Sequence, residues 1–176
     1  MSRGDFKSSG RFNTKAETGR MFNGIRGWQG AYGDYIQYFE LNSQESQSDD
    51  VYNEAQGVGR VYSDPIRVQC IHVTHMRGEN ENGEVGFYYN DTLTATISSE
   101  IFQTSGMILA RVDTGEYMRD RIVYDQKVFR VMKISVLGQI QERDTIIAID
   151  ATEVKPDELT DDASFAQWTN TPAPGE

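Results

Sequence analysis

Cysteine is nearly missing from this chain: Cys70 is the only one in 176 residues. That excludes an intrachain disulfide and any four-cysteine zinc site. Histidine is almost as scarce, with only His72 and His75, so no further imidazole is available to activate a Ser or Cys nucleophile. Neither a phosphate-binding glycine loop nor a GxSxG elbow is present. No run of about 18 apolar residues occurs, so no membrane-spanning helix is expected. The N-terminus lacks the apolar core of a secretory signal. These absences predict a protein with no cofactor and no metal, doing no chemistry, made and used in a reducing compartment.

What remains is a polar but foldable chain. Hydrophobic residues make up 38% and charged residues 25%, which is enough for one domain with a packed core. Aromatics reach 11%, with nine Tyr and eight Phe, too many for a solvated disordered chain. The net charge of -10 is unevenly spread. Residues 1–33 hold six cations (Arg3, Lys7, Arg11, Lys15, Arg20, Arg26) against Asp5 and Glu17, a net of +4, and the rest carries -14. A basic arm on an acidic body is expected to meet something negative.

Those first 33 residues contain seven Gly, no clear period and scattered aromatics (Phe6, Phe12, Phe22, Trp28, Tyr32). They predict an extended arm that orders by lying on a partner. Residues 34–41 predict a strand, and residues 42–50 a polar loop. From Ile66 to Val73 apolar residues alternate, and residues 77–84 read as a tight turn in which Asn82-Gly83 supplies positive φ. Leu93, Ala95 and Ile97 alternating with Thr92, Thr94 and Thr96 form the cleanest half-buried strand. Residues 98–106 can hold one helical turn with Ile101 and Phe102 inward. Residues 121–124 and 128–136 flank a second hairpin turn at Asp125-Gln126-Lys127, Gly138 breaks the sheet, and residues 145–149 are a last buried strand. Pro156 can open a short helix anchored by Leu159, Phe165 and Trp168. The expectation is a mainly β protein, a small antiparallel β-barrel or sandwich at residues 34–152. A basic, Gly- and aromatic-rich arm precedes it (1–33). An acidic C-terminal segment with a disordered end follows (153–176).

Candidate chemistry is thin. Asp113-Thr114-Gly115 resembles the catalytic triplet of viral aspartic proteases, in which two such Asp from two subunits share a proton. Glu116 and Tyr117 stand where that family has a small residue, and Asp-x-Gly is also an ordinary turn. A dimeric aspartic protease using Asp113 is therefore the alternative of a different class. Cys70, His72 and His75 hint at metal, but along a strand His75 points away from the other two. A half-buried strand with polar tips accounts for them better. The arm's candidate docking residues are Arg11, Phe12, Arg20, Phe22, Arg26 and Trp28. Cations interleaved with rings suit nucleic acid or an acidic protein surface. Six cations in 33 residues is sparse for a DNA-binding tail, which favours protein docking and leaves a nucleic-acid accessory protein as a third reading.

Three stretches carry a family likeness. Tyr35-Ile36-Gln37-Tyr38-Phe39 precedes residues 49–55 and Arg60-Val61-Tyr62-Ser63-Asp64-Pro65-Ile66. Gly86-Phe87-Tyr88-Tyr89 leads into the threonine strand. Residues 120–131 give a charged start, a strand, a turn and a strand. That order, over residues 35–162, resembles the head-to-tail connector proteins of tailed bacteriophages, in particular the head-closure or stopper proteins. The resemblance implies a structural virion protein, a homo-oligomeric ring of small β-barrels in the neck, assembled in the host cytoplasm. It would join portal or adaptor above to tail terminator or tail tube below, and help retain packaged double-stranded DNA. An acidic channel repels phosphates and lets DNA slide, and the arm would clamp an adjacent subunit or the ring above. An adaptor or tail-terminator position in the same neck is the neighbouring alternative. Candidate channel segments are Asn80, Glu81, Asn82 and Gly83, and Gln139, Gln141, Glu142 and Arg143, which are polar and turn-like.

Overall fold

The structure, a computed structural model, describes residues 14–46, 60–83, 86–107, 115–140, 143–159 and 162–169. Seven strands form one antiparallel sheet: β1 (Tyr35–Phe39), β2 (Ile66–Gln69), β3 (His72–Gly83), β4 (Gly86–Ser98), β5 (Arg121–Tyr124), β6 (Lys127–Ile140) and β7 (Arg143–Glu153). Their spatial order is β2-β1-β5-β6-β7-β4-β3. The protein is mainly β, as its alternating runs imply.

The sheet is not closed into a barrel, which corrects the barrel expected from the sequence. Its outermost strands, β2 and β3, do not pair with each other among the described residues. They are consecutive in the chain, separated by Cys70 and Ile71. The Cys70 amide donates to the Asp34 carbonyl at 2.8 Å, beside β1, and the Ile71 amide to the Thr96 carbonyl at 2.7 Å, on β4. At that step the chain changes partner, and the sheet curls around a shared core without a ladder across the seam. The alternation read through 66–73 shifts face there: Val68 and Cys70 are fully buried, whereas His72 is exposed.

Inside the curl lie Ile36, Val68, Leu93, Ile97, Ile122, Phe129, Val131, Ile147 and Ile149, with Phe102 covering one end. Phe102 comes from α2 (Ser99–Thr104), the helical turn expected there. A second cluster sits on the outer face of β1, β5 and β6. Phe39, Val123 and Val128 receive Leu159 and Phe165 from the C-terminal segment, and Trp168 of α3 (Ala166–Thr169) packs against them. Phe165 lies 5.0 Å from the Phe39 ring and 4.9 Å from the Tyr62 ring, centroid to centroid. The three apolar anchors read in that segment are used as expected.

Three further expectations change. Residues 77–84 were expected as a turn, but β3 continues to Gly83 and pairs with β4 down to Gly86. Gly78, at φ 72°, absorbs a bulge between Met76 and Glu79 and the ladder resumes. Gly138 does not end β6. The strand runs to Ile140 with register shifts around Gly138, and the Thr145 hydroxyl donates to the Gly138 carbonyl at 2.9 Å. Residues 14–32 are not extended but form a helix, α1 (Thr14–Tyr32). Its inner face is Thr18, Met21, Phe22, Ile25 and Gln29, a helical spacing hidden in the sequence by the two polar members. Thr18 and Gln29 are the most buried of these. The turn at Asp125-Gln126 holds as read, both residues at positive φ (48° and 62°).

Candidate functional site

The sheet sends a hairpin out at each end. β4 pairs with β7 from Thr92 (opposite Thr152) to Ser98 (opposite Ile146). Below Thr92, residues 86–90 pair, among the described residues, only with β3, so this half of the β3–β4 hairpin is a two-stranded ribbon projecting past the body. The β6–β7 hairpin extends from the opposite end, where Gln139 faces Asp144 and Ile140 faces Arg143. The structure thus places Asn80, Glu81, Asn82 and Gly83 on the ribbon, and Gln139 and Arg143 at the other end. It does not bring the two candidate channel segments together. Gln141 and Glu142 lie outside the described residues.

A polar cluster holds the ribbon at its root. Asp91 sits on β4 where the ribbon leaves the sheet. Its carboxylate accepts from the Gly78 amide at 2.9 Å and from Lys127 Nζ at 2.6 Å, and meets His75 Nε2 at 3.1 Å. Lys127 also reaches Glu153 at 3.0 Å. Burial raises the Asp91 pKa, but the hydrogen bonds from Lys127, Gly78 and His75 outweigh it and hold the group at about 2. Burial lowers the Lys127 pKa, yet its bonds to Asp91 and Glu153 leave it raised. The His75 ring stands edge-on to Phe129, centroids 5.6 Å apart. Sequence reading missed this cluster. Its one visible signal was Asp91 itself, a poor strand former standing directly before the clean threonine strand.

A second buried polar group ties β1 to the start of β5. Asp120 is fully buried and accepts from the Tyr38 hydroxyl at 2.6 Å and the Leu41 amide at 3.0 Å. Beside it, burial lowers the Arg121 pKa and raises that of Tyr62. These groups lie within the packed body, where they fix the strand ends. Burial likewise pushes the Cys70 thiol up to about 12.

The arm residues divide. Arg11 and Phe12 lie outside the described residues, as does Asp113. Arg20 is exposed, with Glu17 at 3.5 Å. Phe22 is half-buried, and Arg26 pairs with Glu100 just beyond α2's start. Trp28 is 55% exposed and lies against Tyr32, centroids 4.9 Å apart. The C-terminal end of α1 is seated on β2 by reciprocal bonds: Gln29 Nε2 donates to the Gln69 carbonyl at 3.3 Å, and Gln69 Nε2 to the Gln29 carbonyl at 3.1 Å. Gly33 lets the chain turn there. A Cβ would lie 2.4 Å from the Gln29 carbonyl oxygen and 2.8 Å from that of Cys70.

Cys70, His72 and His75 do not converge, since Cys70 is buried, His72 is exposed and His75 is engaged with Asp91. Among the described residues no group of three or more His, Cys, Asp or Glu is placed to hold a metal ion. No described helix is long and apolar enough to cross a membrane.

No family model matches this chain, and no curated protein matches it. Among solved structures it is similar to a chain described as "Virion of native gene transfer agent (GTA) particle". The TM-score is 0.40 at 11% identity, over 69% of this chain and 94% of that chain. A likeness that weak carries no functional weight.

Proposed function

We propose that this chain is a structural virion protein of a phage-like neck, a head-to-tail connector of the head-closure (stopper) kind, acting as an assembling ring rather than as an enzyme. The observation that carries the reading is the small curled sheet with a hairpin projecting from each end. Asp91, His75 and Lys127 come together at the root of one of those hairpins, where they anchor it. Exposed Trp28, Tyr32, Met76, Met132 and Leu137 fit interface chemistry, where aromatic side chains and Met are favoured. The edge of β3, unpaired among the described residues, offers backbone groups for pairing between subunits. In this reading the partners are further copies, portal or adaptor on one side, tail terminator or tail tube on the other, and DNA in the channel.

The two hairpins, at opposite ends, would face different layers of the neck and not one shared constriction. The test is the mass of the purified protein alone and after mixing with portal-containing particles. Binding to the portal vertex supports the reading, and a stable dimer that ignores the portal overturns it.

A further inference from the structure

Beneath the C-terminal segment, the outer face of the sheet buries a guanidinium and a hydroxyl that are left incompletely bonded. Arg121 is 3% exposed and Tyr62 8%, yet neither Arg121 Nε nor the Tyr62 hydroxyl has a hydrogen-bond partner among the described residues. Buried polar atoms in native proteins nearly always have a partner, from the protein or from an ordered small molecule. Two such atoms at one place point to a ligand.

Strand pairing brings them together. Arg121 stands opposite Phe39 on β1, and Tyr62 stands opposite Leu41, two residues further along the same extended stretch. Residues two apart on an extended chain share a face, and so do directly opposed residues. Phe165 lies on this patch, its ring 5.0 Å from that of Phe39 and 4.9 Å from that of Tyr62. Burial raises the Tyr62 pKa, and among the charges acting on its hydroxyl that of Arg121 is the largest.

Neighbouring charges do not supply the missing acceptor. Glu158 pairs with Arg130, which stands opposite Arg121, and Asp162 is 4.0 Å from Arg60. Arg121 Nη1 donates to the Arg119 carbonyl at 3.3 Å, and the guanidinium forms no ion pair among the described residues. An Nε–H can only donate and a phenol hydroxyl donates readily, so one small acceptor between them serves both.

We infer that a single buried acceptor, a water molecule or a chloride ion, sits between Arg121 Nε and the Tyr62 hydroxyl. It joins β5 to the segment before β2 beneath the C-terminal segment, which Phe165 seats on the Tyr62 ring. Water fits the nearby carboxylates of Asp162 and Asp120. Chloride fits a buried cation with no carboxylate of its own. The site stands independently of the neck reading.

The experiment observes the Arg121 Nε–H of the full chain by heteronuclear NMR, the signal being assigned by its loss in Arg121→Lys. Water is the source if this proton shows dipolar contact with a long-lived water that persists when chloride is replaced by gluconate. Chloride is the source if the Nε–H shift follows chloride concentration to saturation and ignores gluconate at equal ionic strength. Tyr62→Phe keeps the ring against Phe165, and in it either signal is expected to fall about threefold or more. Circular dichroism melts verify that this variant folds. An Nε–H that exchanges freely with solvent, or shows neither signal, overturns the site, and the parent alone decides that. A signal that persists in full in folded Tyr62→Phe overturns the placement between these two residues.

Discussion

The two halves of β4 belong to one strand and live in different surroundings. From Leu93 to Thr96 it has β3 on one side and β7 on the other, and Leu93, Ala95 and the following Ile97 are fully buried. From Gly86 to Asn90 it has, among the described residues, β3 alone. The ladder with β3 runs through both, but among the described residues only the body half has a second ladder, with β7, so that half should be the slower to open. Asp91 stands at the boundary, and its bonds to Gly78, Lys127 and His75 substitute for the third strand that the ribbon lacks.

The sharpest way to break this contrast is at the body. Phe129 is fully buried inside the curl, and Phe129→Ala should cost about 4 kcal/mol. Chemical denaturation is expected to show a lower midpoint, and amide exchange should speed up at residues 93–97 more than at 86–90. Asp91→Asn keeps the shape but removes the charge that Lys127 and His75 face, at a cost of about 2 kcal/mol. Here the loss should centre on the root of the ribbon, seen as faster exchange at the Gly78 amide.

Acid tests the same group. The folded pKa of Asp91, about 2, lies below its ordinary value of 3.8. Its contribution is therefore complete above that ordinary value and is lost as pH falls toward 2. Unfolding followed between pH 5 and pH 2 should show a parent slope that Asp91→Asn flattens. Equal slopes would remove Asp91 from the account of the boundary.

Gly78 is a smaller lever. Its φ of 72° favours glycine, so Gly78→Ala should cost about 1 kcal/mol and shift the ribbon rather than the body. Smallest of all, replacing residues 79–90 by Asn-Gly should leave the melting transition within about 0.5 kcal/mol of the parent. A large loss would mean that the ribbon is part of the core after all.

Much of the body was legible in the residues. The run from Leu93 to Ile97, the turn at Asp125-Gln126 and the anchors Leu159, Phe165 and Trp168 all announce themselves through period or chemistry. Period failed at three places for three reasons. In α1, Thr18 and Gln29 occupy inner positions where apolar residues would be expected. In residues 77–83, loop-like composition is overruled by pairing with β4. At Cys70-Ile71 the strand changes partner, which no alternation can reveal. Of the candidate surfaces, the charge asymmetry was plain from the residues, but the root of the ribbon was not, because His75, Asp91, Lys127 and Glu153 come from four strands.

By itself, then, the sequence determined the class: a mainly β chain with a single Cys, which allows no intrachain disulfide, and with a basic start on an acidic body. Those properties depend on composition and on neighbours one or two residues apart. Tertiary structure alone decided that the sheet stays open, that α1 sits at one end and the ribbon leaves from the other, and that Asp91 is held by distant partners. Each of those depends on which strands pair across long stretches of chain, and that choice is set by burying both faces of the sheet at once.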